Sequence, residues 1–107
     1  MRIYFWLKDL FRTKTFGALR TPECLKAMRE YKRLHPYCEI SGRKDRVEPH
    51  HKTPVSKAPE LAADPTNFIS LTRELHFWVG HNGSWLSFNS DVEMDSLKLK
   101  LKIQSRP

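Results

Sequence analysis

The sequence predicts a small α+β domain. Three observations carry that prediction: a capped amphipathic helix in the first third, two short apolar runs of strand character around a proline-rich loop, and a second capped helix directly after the second run. With 107 residues the chain has room for one domain and one modest core. Thr21-Pro22-Glu23 is a helix start, with a hydroxyl to cap, a proline where no N–H is needed, and an acid facing the positive end of the helix dipole. Leu25, Met28, Tyr31 and Leu34 recur every three residues as an apolar stripe, and Cys24 is expected to be buried on the same helix. Pro36 ends it. Ser41-Gly42 reads as a turn and residues 46–51 as a short strand, which Pro49 marks as irregular or at an edge. Residues 53–66 form a loop with Pro54, Pro59 and Pro65, followed by the strand Phe68-Ile69-Ser70-Leu71. Thr72 caps a helix beginning at Arg73, which carries Leu75, His76, Phe77, Trp78 and Val79 and stops at Asn82-Gly83.

The two ends are less determined. Residues 3–11 are rich in apolar and aromatic types and fit a short docking helix. In the tail, Leu97, Leu99, Leu101 and Ile103 alternate with three lysines, which is strand periodicity, yet the residues are also good helix formers. The domain thus divides into a basic helical part (residues 1–36), a strand-loop-strand-helix unit (37–89) and a tail (90–107).

The net charge of +7 is localised: residues 1–46 hold twelve Lys/Arg against five Asp/Glu, whereas residues 47–90 hold three against four. A basic region on a small chain points to a phosphate-rich partner. The candidates are Arg29, Lys32 and Arg33 on the first helix, beside Lys26, and Arg43, Lys44 and Arg46 leading into the first strand. The apolar start from Ile3 to Leu7 is cut by Lys8 and Asp9, too short for a signal-peptide core or a bilayer-crossing helix, so a cytoplasmic, non-membrane protein is expected. Cys24 and Cys38 make neither a Cys-x-x-Cys pair nor a disulfide framework.

Four of the five histidines, His50, His51, His76 and His81, fall within 32 residues of the strand-loop-strand-helix unit. Adjacent side chains on a strand point to opposite faces, so His50 and His51 suit two separate tasks better than one shared ion. His76 and His81 have four residues between them, within the gap found for paired zinc histidines, although a separation of five is poorer than four for one helical face and places His81 at a frayed helix end.

His50-His51, Asn67 and His76, with steps of sixteen and nine residues, resemble the HNH nuclease motif. The surrounding text is similar too: His35-Pro36-Tyr37-Cys38, His50-His51-Lys52-Thr53-Pro54, Pro59-Glu60-Leu61, Asn67-Phe68-Ile69-Ser70-Leu71, then Gly80-His81 and Trp85. The resemblance covers residues 35–89 and is greatest to small HNH proteins of phages and mobile elements. It implies a ββα-metal finger, a short two-stranded hairpin plus helix, and a DNA endonuclease using one divalent ion (Mg, Mn, Zn or Ni). By position, His50 and His76 would ligate the ion, with His81 a third ligand as in colicin-type nucleases. His51 would be the general base, and Asn67 would orient its ring by accepting the Nδ1 hydrogen. The resemblance further suggests a phage role such as genome packaging beside a terminase. A histidine can accept a proton near neutral pH, and a bound ion can stabilise the leaving oxygen, so the division of labour is chemically coherent.

One departure matters. Many relatives carry a structural zinc on two Cys-x-x-Cys pairs, whereas here the corresponding stretches read Cys38-Glu39-Ile40-Ser41 and Thr72-Arg73-Glu74-Leu75. No four-cysteine zinc is expected. Cys38 then becomes a small core residue, and packing by Phe68, Leu71, Leu75, Trp78 and Trp85 replaces the metal. The competing readings are a non-catalytic zinc-stabilised DNA-binding module, an HNH nuclease acting on RNA or as a toxin, and a degenerate nuclease that only binds DNA.

Overall fold

A computed structural model describes residues 21–106. Helix α1 (Pro22–Leu34) leads to strand β1 (Val47–His51). Two short 3-10 turns, Pro59–Leu61 and Pro65–Asn67, precede strand β2 (Phe68–Thr72). Helix α2 begins as an α-turn, Arg73–Leu75, and continues as a π-turn, His76–Gly80. Helix α3 (Val92–Gln104) completes the described chain. The architecture is a small α+β fold with a two-stranded antiparallel hairpin and packed helices. The docking helix expected over residues 3–11 lies outside the described residues.

Local signals explain the element starts. The Thr21 side chain accepts the Cys24 N–H at 3.1 Å, and the Thr72 hydroxyl accepts the Leu75 N–H at 3.4 Å. The hairpin pairs His50 with Ile69 and His51 with Phe68, and Lys52 N–H continues the ladder to Asn67 O at 2.7 Å. Pro49 sits opposite Ser70, tolerated because each strand of a two-stranded sheet has an open edge.

Two clusters hold the fold together. Cys38, Ile40, Val47, Ile69, Leu71 and Val92 form the larger one, with Leu75, Val79 and Leu99 packed against it. Cys24, Val55 and Ala62 form the smaller, with Met28 alongside. The tail is therefore a helix that contributes Val92 and Leu99 to the core, which resolves its ambiguity in favour of helix propensity over alternation. Cys38 is buried as a core residue, as expected.

Two packing expectations need correction. The apolar stripe of α1 does not face the core as a whole: Leu25 and Leu34 are exposed, while Cys24 is fully buried and Met28 and Tyr31 half-buried. A three-residue step drifts around a helix of 3.6 residues per turn, so only part of such a stripe can stay on the core side. Trp78 and Trp85 are also exposed and lie outside the core, which Val92 and Leu99 of α3 join.

Leu71→Ala, at a fully buried position, should cost about 2–5 kcal/mol, whereas Leu101→Ala on the exposed side of α3 should change stability by less than about 0.5 kcal/mol. Urea denaturation of the two variants checks both.

Candidate metal centre

Strand alternation and a widened helical turn bring three imidazoles together. On β1, Glu48 and His50 are two residues apart and project on the same side, towards α2, while His51 projects on the other side, towards α1. On α2, the His81 N–H donates to the His76 carbonyl at 3.1 Å, an i→i+5 bond. This widening of the helix brings side chains five apart into register. His81 thus belongs to an ordered turn rather than a frayed end.

His50, His76 and His81 each offer a ring nitrogen within 4.8 Å of the others. Their ring centroids are 4.8, 5.0 and 4.9 Å apart. The outer nitrogens of the two helix histidines are already committed. His76 Nδ1 lies 2.8 Å from Glu48 Oε1, and His81 Nδ1 lies 2.7 Å from the Ser87 carbonyl. Both acceptors require an N–H on Nδ1, which leaves the Nε2 atoms as lone-pair carriers in the neutral rings. Those two Nε2 atoms face each other at 3.2 Å. The third imidazole adds a buried Nε2 on His50 that has no hydrogen-bond partner. Converging lone pairs of this kind repel unless a cation or a proton lies between them. Two nitrogens each about 2.0–2.1 Å from one tetrahedral ion are about 3.3 Å apart, the spacing of the His76 and His81 pair, and with the third nitrogen within 4.8 Å the three histidines are close enough to hold a metal ion. The carboxylate behind His76 and the carbonyl behind His81 are the outer partners that fix the orientation of metal-binding imidazoles.

Gly80 closes the back of the cluster. A Cβ there would lie 3.0 Å from the His50 ring, so a side chain at this position would push the ring or the backbone of α2 back by a few tenths of an ångström. Burial, followed by the charges of His76, His81 and His51, pushes the His50 pKa down to about 3.

His51 occupies the opposite face. Its ring packs on Phe68 at 4.8 Å, and its Nε2 lies 2.9 Å from the Ala62 carbonyl. The carbonyl can only accept, so Nε2 carries the hydrogen and Nδ1 is the basic nitrogen of the neutral ring. The Cys24 thiol donates to the same carbonyl at 3.2 Å and sits 3.8 Å from Nε2. This corrects the expected role of Asn67, which does not take the Nδ1 hydrogen. Its Oδ1 accepts the Thr53 N–H at 2.9 Å, and its Nδ2 donates to the carbonyls of Thr53 at 3.0 Å and Leu61 at 3.3 Å. Asn67 therefore pins the loop that presents Ala62 to His51, a contact one residue removed from the ring.

Glu48, Cys24, Gly80 and the carbonyls of Ala62 and Ser87 also belong to this site, although no motif in the sequence marks them. Strand alternation could have drawn attention to Glu48, which shares a face with His50; backbone carbonyls leave no such signal. The basic residues stand on the surface, several of them already paired. Arg33 bonds Glu30 at 2.5 Å, Arg43 bonds Asp45 at 3.1 Å, and Arg46 bonds Glu74. Lys44 lies 6.0 Å from the Tyr37 ring centroid, and Arg29 and Lys32 are exposed on α1.

The fold and site together define a small α+β domain carrying a three-histidine cluster between a strand and a π-turn. No protein-family model, curated protein or solved structure matches the chain. Among the described residues, no helix is long and apolar enough to cross a membrane.

In chelator-treated protein, folded His50 takes up a proton only near pH 3, whereas the unfolded chain does so near about 6.5. Unfolding therefore binds a proton between those values, and this contribution to stability is full above about 6.5 and lost as pH falls towards 3. The urea midpoint should be lower at about pH 5 than at about pH 7.5, and His50→Asn should flatten that dependence. An unchanged pH dependence in the variant would assign the acid sensitivity to other groups.

Proposed function

We propose that this protein is a metal-dependent DNA endonuclease of the HNH type, in which the hairpin and α2 act as a ββα-metal finger. The observation that carries the reading is the convergence of three imidazole nitrogens, those of His76 and His81 with their outer N–H groups already held by Glu48 and Ser87, on the strand face opposite a fourth histidine bonded to a carbonyl. The separation suits hydrolysis, because a nitrogen that ligates a metal cannot also accept a proton. His50, His76 and His81 would hold one divalent ion, which supplies Lewis-acid stabilisation of charge on the scissile phosphate and the leaving 3′ oxygen.

His51 is the base on this reading. Nδ1 takes a proton from the attacking water, the P–O3′ bond breaks, and the departing oxygen is protonated from solvent. Hydrogen bonding to the Ala62 carbonyl keeps the ring in the tautomer with Nδ1 unprotonated, and stabilises the imidazolium formed as the proton arrives. Asn67 is a positioning residue, acting through the loop it ties down. The basic side chains of α1 and of the approach to β1 supply affinity for phosphates.

Purified protein should nick or cut supercoiled plasmid with a divalent ion present and be inert in EDTA. His51→Ala should keep metal binding and lose on the order of 10²–10⁴-fold in rate, with Asn67→Ala a weaker form of the same defect. Loss of metal binding in His51→Ala, or wild-type protein inert with every divalent ion offered, would sink the assignment.

Affinity for duplex DNA should fall steeply with salt. Replacing Arg29 and Arg33 together should flatten the slope of log affinity against log salt by roughly 2 if both contact phosphate. An unaltered slope would place the DNA on another surface.

A further inference from the structure

The three histidines continue outward into a run of aromatic rings. Trp85 lies edge-to-face with His76 at 5.2 Å and tilted against His81 at 4.9 Å. Phe77 follows at 5.0 Å from Trp85, and Trp78 at 5.0 Å from Phe77. The run ends in the open: Trp85 is 48% exposed, Trp78 66% and the neighbouring Leu86 84%. Scattered surface apolar residues need no explanation, but contiguous aromatic exposure beside a site does. The loop that carries Trp85 is firmly built. Ser87 Oγ donates to the His81 carbonyl, Ser87 O holds the His81 ring, and buried Asn89 donates to the Val79 carbonyl at 3.0 Å. Gly83, at φ +77°, leaves space for Trp78: a Cβ there would come within 3.1 Å of the indole. The cation–π contacts of the described residues fall on Tyr37 and Phe88, not on either tryptophan.

We infer that Trp85 and Trp78 form a base-stacking platform that takes unpaired nucleotides of single-stranded DNA beside the metal centre. The inference deepens the nuclease reading and rests on it for the identity of the polymer. A duplex turns its bases inward and stacks them on each other, so it offers edges and phosphates to a protein but few ring faces. An unpaired base offers a free π-face while its phosphate remains available to the cluster that Trp85 touches. The continuity of rings from His76 and His81 to Trp78 provides stacking surface leading away from the site of cleavage. The basic residues concentrated before residue 47 supply a general attraction for a polyanion, and the rings themselves, in a stretch without Lys or Arg from 74 to 97, contribute stacking surface. The substrate class is thus DNA with an unpaired segment at or beside the scissile phosphate.

The test is binding in EDTA, where no cleavage occurs, using a labelled oligothymidylate and a duplex of equal length. Wild-type protein should bind the single strand more tightly and show quenching of tryptophan fluorescence. Trp85→Leu should weaken single-strand binding by roughly 5- to 150-fold, the range of one lost stacked base, with little change for duplex. Trp85→Phe, which keeps a ring, should retain most of the affinity and controls for folding. Equal binding of single strand and duplex, wild-type affinity in Trp85→Leu, or equal losses in the Leu and Phe variants would each overturn the platform. Self-association that Trp85→Leu abolishes while DNA binding stays intact would make the patch an interface between copies and also overturn it. Plasmid cleavage without quenching would sink the platform alone; quenching without cleavage of any DNA would sink the nuclease alone.

Discussion

The geometry of the site depends on one backbone interaction, the i→i+5 bond from the His81 N–H to the His76 carbonyl. In a regular α-helix, residues five apart are rotated well away from each other, and an imidazole pair at that spacing would diverge. The widened turn removes the divergence at the cost of regular i→i+4 hydrogen bonding. Its neighbours compensate: Gly80 lets the turn press against His50, Asn89 caps the Val79 carbonyl, and the Gly83 N–H returns to the Phe77 carbonyl at 2.9 Å. A helix of ordinary pitch with the same residues would bring together two histidines instead of three.

The other half of the site depends on a loop. The segment between β1 and β2 has little regular structure, and its shape is set by the side-chain amide of Asn67, which meets Thr53 on both its N–H and its carbonyl. That clamp fixes where the Ala62 carbonyl stands, and the carbonyl in turn fixes the His51 tautomer. Removing Asn67 would take away the bonds that hold this loop, and with them the placement of the carbonyl that the His51 ring meets.

The order of elements and the four histidines were readable from the sequence because each rests on a local rule. Thr21 and Thr72 cap helices through their own hydroxyls, and alternation along β1 separates His50 from His51. What escaped depends on contacts distant in the chain. Trp78 and Trp85 stand exposed while α3 joins the core, and α3 itself reads equally as strand or helix until Val92 and Leu99 are seen against Ile69 and Leu71. The true partners of Asn67 are backbone atoms, which look the same whatever the residue. The same holds for the carbonyls that set the tautomers of His51 and His81.

The three clustered histidines come from a strand ending at His51 and from a turn that begins only at His76, with the whole second strand in between. An ion held by them would therefore also be a cross-link, closing a long loop across the two-stranded hairpin. Its binding energy would be felt by the folding equilibrium, since the unfolded chain has no preformed site to compete for it. Such a domain would be at its most rigid when an ion is bound, and metal supply would then govern how long the folded chain persists.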